Sequence, residues 1–266
     1  MTIWAILVFV FGSVAGSFLG ALTYRMPKGI SIISGRSKCP KCGKTIRWFD
    51  NIPIVSYLLL QGRCRKCKNK ISVRYPLIEL GSALTFLFGF LGMDSIIDNV
   101  AWLPASPALS FSLILVFLTV LLAIFVIDME HQLIFDEFVF FGLLMLLSAF
   151  LVFDFKQGFN YLLAGFGGSL FLLAINLITR GRGMGLGDVK FALLAGSFLG
   201  FPNVVIWFFL AFILGGLLGI ILIILGKAKL SQKIAFGPFL VISFFLTLLF
   251  GQAISATIMP YGFWIF

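Results

Sequence analysis

MTIWAILVFVFGSVAGSFLGALTY, residues 1–24, is an apolar run without a single charged side chain. It is long enough to cross the hydrocarbon core of a bilayer as a helix, which takes about 20 residues. No basic residue precedes the apolar stretch, and the run is longer than the core of a secretory signal, so we interpret it as a permanent membrane span. Gly12, Gly16 and Gly20 form a GxxxGxxxG face, which favours close packing of a second helix.

Comparable apolar runs recur along the whole chain. Of its 266 residues, 61% are hydrophobic and only 11% are charged, whereas a soluble domain carries about 25% charged residues. We place membrane spans at residues 2–24, 77–93, 108–127, 137–153, 160–179, 189–201, 203–225 and 236–258. The sequence therefore predicts an all-α membrane protein of about eight transmembrane helices. Pro202 interrupts the long apolar segment 189–225, so seven spans remain the alternative to eight.

The basic residues are distributed unevenly, and this sets the orientation. Thirteen of the 20 Lys and Arg lie between Arg25 and Arg74. Two smaller groups follow later in the chain: Arg180, Arg182 and Lys190, and then Lys227, Lys229 and Lys233. With the N-terminus outside, 19 basic residues face the cytoplasm and only Lys156 faces outward, as the positive-inside rule requires. This distribution accounts for the net charge of +10 without a nucleic-acid partner.

The cytoplasmic loop 25–76 contains two CxxC pairs. Cys39 and Cys42 are separated from Cys64 and Cys67 by 21 residues, which is close to the spacing of a four-thiolate zinc site. Disulfides are disfavoured in the reducing cytoplasm. A loop of this size buries little core, so a structural zinc ion would stabilise it, giving a zinc-ribbon-like insertion after the first helix. A redox-active or metal-free set of thiols is the alternative.

Two carboxylates are predicted to lie at the same depth in the membrane. A carboxylate in the bilayer costs about 2.5–3.5 kcal/mol, so such residues are functional candidates. Asp128 ends an inward-running span, and Asp188 precedes an outward-running one. Two neighbouring aspartates can share one proton, and such a pair can activate water and polarise a peptide carbonyl. The glycines of GMGLGD, residues 183–188, would allow close approach to Asp188, and Asp136 remains a rival to Asp128.

Other functions use the same residues. Asp128 and Asp188 could carry protons in an ion-coupled transporter, or form structural salt bridges with Lys190 or Arg182. A zinc-stabilised assembly protein that binds its partners without chemistry is a third possibility. His131 is the sole histidine, which excludes a zinc protease of the HExxH type. A protease site of the Cys–His or Ser–His type would have to use His131.

Several motifs occur in the order typical of one family. They are GSFLGALTYRMP at 16–27, NIPIVSYLLLQGRC at 51–64, ISVRYPLIEL at 71–80, IDMEHQLIFDEF at 127–138, GMGLGDVKFALLAG at 183–196 and IAFGPFL at 234–240. With them the chain resembles the type IV prepilin peptidases, bifunctional leader peptidase/N-methyltransferases of the GxGD aspartic protease type. One departure is Phe135, which stands where the family usually has proline before the second acid of its motif.

The resemblance implies both an activity and a location. It implies that the chain is a multi-pass protein of the bacterial inner membrane, surrounded by lipid. It would cleave the leader of prepilins or pseudopilins at the cytoplasmic face and methylate the new N-terminus with S-adenosylmethionine. Asp128 and Asp188 match the family's catalytic pair. By the same resemblance, residues 1–24 are the first span, 25–76 the methyltransferase part and 77–266 the peptidase core. Glu79 could contribute to methylation, or it could pair with Arg74.

Overall fold

The computed structural model describes residues 2–32, 35–181, 183–226 and 235–258. Arg182 and the basic group Lys227, Lys229 and Lys233 lie outside the described residues. The chain divides into two compact units. The first unit comprises Met1–Leu91 and Leu113–Val126, and the second comprises Gly92–Ser112 and Ile127–Phe266.

Ten α-helices form within the described ranges, where no β-strand is found. They are α1 (Thr2–Arg25), α2 (Val55–Leu59), α3 (Arg74–Leu91), α4 (Met93–Asn99), α5 (Pro107–His131), α6 (Asp136–Phe153), α7 (Phe155–Ile178), α8 (Leu186–Leu199), α9 (Asn203–Ile224) and α10 (Gly237–Ile258). These positions agree closely with the eight apolar segments predicted from the sequence. The fold is therefore all-α, as predicted.

The predicted count of eight membrane crossings is not confirmed by the helix lengths. Among the described residues, six helices are long and apolar enough to cross a membrane, or seven if the bent pair α3 and α4 forms one span. The expected span at 189–201 corresponds to α8, which has only 14 residues. At 1.5 Å per residue it is about 21 Å long, short of a hydrocarbon core of about 30 Å. The protein is thus a multi-pass helical membrane protein, and the count of eight is not confirmed.

Close contact between α1 and α3 holds the first unit together. A Cβ atom added at Gly16 would lie 2.7 Å from the Cα of Glu79, and one at Gly12 would lie 2.9 Å from the Cα of Ala83. These distances leave no room for a side chain, so the predicted helix-packing face is confirmed at both glycines. At Gly20 the corresponding contact, 3.5 Å from the Tyr75 ring, is of ordinary van der Waals length.

In the second unit α8 is enclosed by protein. Ten of its fourteen residues are buried. Its backbone touches that of α7, because a Cβ atom at Gly196 would lie 2.9 Å from the Cα of Gly165. Near its end, the Phe198 carbonyl accepts a 3.0 Å hydrogen bond from Trp102 Nε1. Because neighbouring helices cover it, α8 can be too short to span lipid and still hold Asp188 at a fixed depth.

Candidate functional site

Asp128 and Asp188 come together within the second unit. Asp128 lies in the last turn of α5 and is 6% exposed, and Asp188 lies in the first turn of α8 and is 9% exposed. They are close enough for the charge of Asp128 to act on Asp188. The structure thus brings together the two carboxylates that the sequence pairs by depth.

The two carboxylates have different hydrogen-bond surroundings. Asp188 Oδ2 accepts a 3.1 Å bond from the backbone N–H of Gly185. Asp128 Oδ2 is buried and has no hydrogen-bond partner among the described residues. A buried, unpaired acceptor is costly, and two adjacent carboxylates in a low-dielectric site resist ionising together. One proton shared by the pair would lower both costs.

The glycine-rich segment before α8 is anchored to its neighbours by backbone contacts. Gly183 donates a 3.0 Å hydrogen bond to Thr179 Oγ1, and the Met184 carbonyl accepts one of 2.6 Å from Asn176 Nδ2. A Cβ atom at Gly187 would lie 3.1 Å from the Ile134 side chain. The segment therefore needs small residues to approach α7 and the loop that follows α5, and this approach positions Asp188.

Gly237 is a site residue to which sequence reasoning assigned no role, although its motif was recognised. A Cβ atom at this position would lie 2.5 Å from Asp128 Oδ2 and 2.9 Å from its Cγ. Only glycine fits there without displacing the carboxylate. The glycine before Pro238 indicates the start of a helix, but nothing local in the sequence indicates that α10 begins against Asp128.

Asp136, the rival candidate, forms a surface ion pair. Its Oδ1 accepts a 2.6 Å bond from Lys190 Nζ, and its side chain is 48% exposed. From the sequence, Lys190 was a possible partner of Asp128 or Asp188, but in the structure it contacts Asp136. Phe135, just before it, has φ −74° and ψ 133°. That φ lies within the range of a proline, so the turn keeps its geometry without one.

The two CxxC segments of the first unit have the same backbone structure. Cys39 N–H donates to the Lys44 carbonyl at 3.0 Å, and Cys64 N–H donates to the Asn69 carbonyl at 2.8 Å. The residue four positions after each leading cysteine has a left-handed backbone: Gly43 has φ 69° and Lys68 has φ 59°. Each pair is thus presented by a tight knuckle of the kind found at zinc sites.

The four thiols can hold one metal ion. The Sγ atoms of Cys39, Cys42, Cys64 and Cys67 all lie within 4.8 Å of one another, and those of Cys39 and Cys67 are 3.9 Å apart. Four sulfurs at about 2.3 Å from a tetrahedral ion would be separated by about 3.8 Å, so the cluster fits such a centre. The backbone N–H of Asn69 lowers the pKa of Cys67 to about 6, whereas, against the effect of the Lys44 N–H, desolvation and the neighbouring thiols raise the pKa of Cys42 to about 11.

Glu79 lies in the first unit, within α3. Its Oε2 accepts a 2.7 Å hydrogen bond from the backbone N–H of Ile54, and its Cα lies against Gly16 of α1. Arg74, the expected partner, donates to the Gly20 carbonyl at 3.0 Å and to Thr23 Oγ1 at 2.7 Å. Glu79 thus connects α1, α3 and the loop that carries the cysteines.

Comparison with known proteins covers both units. Residues 10–93 match the Bacterial Peptidase A24 N-terminal domain, and residues 115–220 match the Type IV leader peptidase family. No solved structure matches the chain.

Relatives in several bacteria carry the same printed name, prepilin leader peptidase/N-methyltransferase. The Bacillus subtilis (strain 168) protein is 33% identical over 93% of this chain and 95% of its own length. The Pseudomonas aeruginosa relative is 32% identical over 94% of this chain and 92% of its own. The Neisseria gonorrhoeae relative is 31% identical over 88% and 86%, respectively. The chain belongs to the type IV leader peptidase family.

Proposed function

We propose that the protein is a membrane aspartic endopeptidase that removes the leader of type IV prepilins or pseudopilins and then N-methylates the new N-terminus. The names of its relatives combine these two activities. The observation that carries the peptidase half is the buried pair of Asp128 and Asp188. Cleavage takes place at the cytoplasmic face of the bacterial inner membrane, where the sequence locates both side chains.

In the proposed reaction one carboxyl of the pair acts as general base and the other as general acid. The ionised carboxyl takes a proton from water, whose oxygen attacks the scissile carbonyl carbon. The protonated carboxyl donates its proton to the carbonyl oxygen, and the tetrahedral intermediate collapses as a proton passes to the leaving nitrogen. Asp128 Oδ2, which has no hydrogen-bond partner among the described residues, is the oxygen proposed to bond that water or the substrate carbonyl. Because the two groups titrate as a pair, neither is assigned alone as the base.

The cysteine loop 25–76 is the proposed methyltransferase part and 77–266 the proposed peptidase core, although Glu79 and the rest of α3 belong with the cysteine loop in the first unit. A zinc ion held by the four thiolates would fix the loop. S-adenosylmethionine would supply the methyl group. A cavity of about 530 Å³ in the first unit has Arg25, Trp48 and Asn51 among its lining residues. The indole can stack on adenine and the guanidinium can bind the donor's carboxylate, so the lining fits that molecule.

The other functions considered are less well supported. The relatives are named as peptidase/methyltransferases, so the comparisons give no support to an ion-coupled transporter. Lys190 forms its ion pair with Asp136, so the proposed salt bridge between Lys190 and Asp188 is not supported. An assembly protein without chemistry would tolerate loss of both buried carboxylates, and the following experiment tests this directly.

The peptidase is tested by co-expression with a tagged prepilin in a host that lacks its own leader peptidase. Intact mass of the purified pilin reports both leader removal and one added methyl group. We expect cleavage by the wild type, and its loss in Asp128→Asn and in Asp188→Asn. Asp136→Asn is the matched control, because it makes the same change in a surface ion pair, and we expect it to cleave. Cleavage by either buried-site variant would refute the pair.

A further inference from the structure

The lining of the cavity in the first unit is apolar at one end and polar at the other. Its walls include Val14, Phe18 and Leu22 on α1, whereas Arg25 and Asn51 supply polar groups. Val14 precedes Arg25 by eleven positions, which is about 16 Å along a helix. Because α1 is an apolar membrane-span candidate, the Val14 end of the cavity lies at hydrocarbon depth and the Arg25 end near the surface. Such a cavity suits a ligand with an apolar body and a polar end.

Glu79 is attached to the wall of this cavity. Its carboxylate accepts a hydrogen bond from the N–H of Ile54, which follows the lining residues Ile52 and Pro53. Gly16 brings the backbone of α1 against the Cα of Glu79. A carboxylate on a membrane helix is costly and is kept where it binds a cation or a proton. Apolar side chains of the lining therefore lie next to a carboxylate group.

The turn that bonds Glu79 is strained. Ile54 has φ 61° and ψ −51°, a conformation that β-branched residues very rarely adopt. The Val55 N–H bonds back to the Pro53 carbonyl, which makes this the rare and strained form of γ-turn. Strain of this kind persists where the surroundings impose it, and it concentrates at ligand sites. Here it points the Ile54 N–H at the Glu79 carboxylate and fixes that carboxylate beside the cavity.

We infer that this cavity is the acceptor site for N-methylation, where the apolar first residue of a processed pilin lies in the cavity and its α-amino group binds Glu79. The inference rests on the proposed function, because leader cleavage creates that amine. The cavity's apolar lining matches a hydrophobic side chain, and the carboxylate complements the ammonium charge.

The reaction at this site balances without a further reagent. Glu79 takes one proton from the ammonium group and so frees the nitrogen lone pair. The nitrogen attacks the methyl carbon of S-adenosylmethionine, forming the N–C bond. The C–S bond breaks, and its electron pair stays on sulfur as a neutral thioether. Glu79 is therefore the base for methyl transfer, whereas Asp128 and Asp188 act only in cleavage.

Glu79→Gln separates the two activities. In the co-expression assay we expect leader cleavage to continue and methylation to fall by about 10²-fold or more, as for loss of a general base. Glu137→Gln, the same change at an exposed site on α6, should leave both activities intact. Ala21→Phe, which fills the cavity without altering Glu79, should also cleave without methylating. Methylation at the wild-type rate by Glu79→Gln would overturn the inference.

A binding experiment without the methyl donor tests the same site independently of turnover. The probe is a synthetic peptide with the mature N-terminus of a pilin that the protein cleaves, either with a free amine or N-acetylated. We expect the wild type to bind the free amine at least about tenfold more tightly, and Glu79→Gln to lose this preference. Equal binding of the two peptides by the wild type would overturn the inference and leave the peptidase standing. A wild type that cleaves no prepilin would refute the proposed function itself.

Discussion

The carboxylates of the two units are held in opposite ways. In the first unit, Glu79 Oε2 accepts a hydrogen bond from the Ile54 N–H. In the second, Asp128 Oδ2 is buried without a hydrogen-bond partner among the described residues, and a second carboxylate lies close by. A carboxylate held by a backbone donor is fixed in place, which suits binding of an amine. An unpaired oxygen beside another acid is suited to water and to a shared proton.

The largest effect should come from occupying the space beside the unpaired oxygen. Gly237→Val would add a side chain whose Cβ alone would lie 2.5 Å from Asp128 Oδ2. We expect cleavage to fall by about 10²-fold or more, because small displacements of catalytic groups cost that much. Prepilin cleavage by the purified variant measures it. Gly216→Ala on α9, where an added Cβ meets nothing within 4 Å, is the control and should cleave normally. Normal cleavage by Gly237→Val would show that Asp128 does not need its observed position.

Loss of the metal should affect methylation, which we assign to the first unit. In Cys64→Ser/Cys67→Ser, half of the thiol ligands are removed. We expect metal content, measured by elemental analysis, to fall from about one zinc per chain to near zero. Methylation should be lost with it, whereas cleavage should persist, because the aspartate pair belongs to the second unit. Equal loss of both activities would contradict this division.

A packing change should give an intermediate effect. Gly16→Val inserts a side chain where a Cβ would already lie 2.7 Å from the backbone of α3. Overpacking of this kind costs about 1–3 kcal/mol. We expect a lower unfolding temperature and reduced methylation. Gly81→Val on α3 offers a comparison, since a Cβ there meets nothing within 4 Å. If both variants were equally stable, the close contact of α1 and α3 would not be the source of the effect.

The smallest effect is expected at the second cysteine knuckle. Lys68 has a left-handed backbone, with φ 59°, at the position where the first knuckle has Gly43. Lys68→Gly should remove strain of about 1 kcal/mol and raise the thermal stability of the zinc-loaded protein slightly. Gly43→Lys should lower it by a similar amount. Opposite signs in thermal unfolding confirm the equivalence of the knuckles, and equal signs would contradict it.

The sequence predicted the parts of this molecule that depend on local composition and spacing. Apolar runs located the long helices, CxxC spacing located the thiol cluster, and the direction of successive spans put Asp128 and Asp188 at one depth. The length of α8 was less predictable, because a helix enclosed by protein need not span the bilayer. Individual side-chain contacts between distant segments could not be predicted either. Gly237 against Asp128 and Lys190 on Asp136 are separated by many residues, and no local pattern encodes them.

The most direct test of the aspartate pair is a double-mutant cycle on the cleavage rate. Single-turnover rate constants would be measured for the wild type, Asp128→Asn, Asp188→Asn and the double variant in the same detergent or nanodisc. If the two carboxylates share one proton and act as a unit, each single change should cost about as much as both together. Independent, multiplying losses, or a single variant that cleaves at the wild-type rate, would contradict the pair.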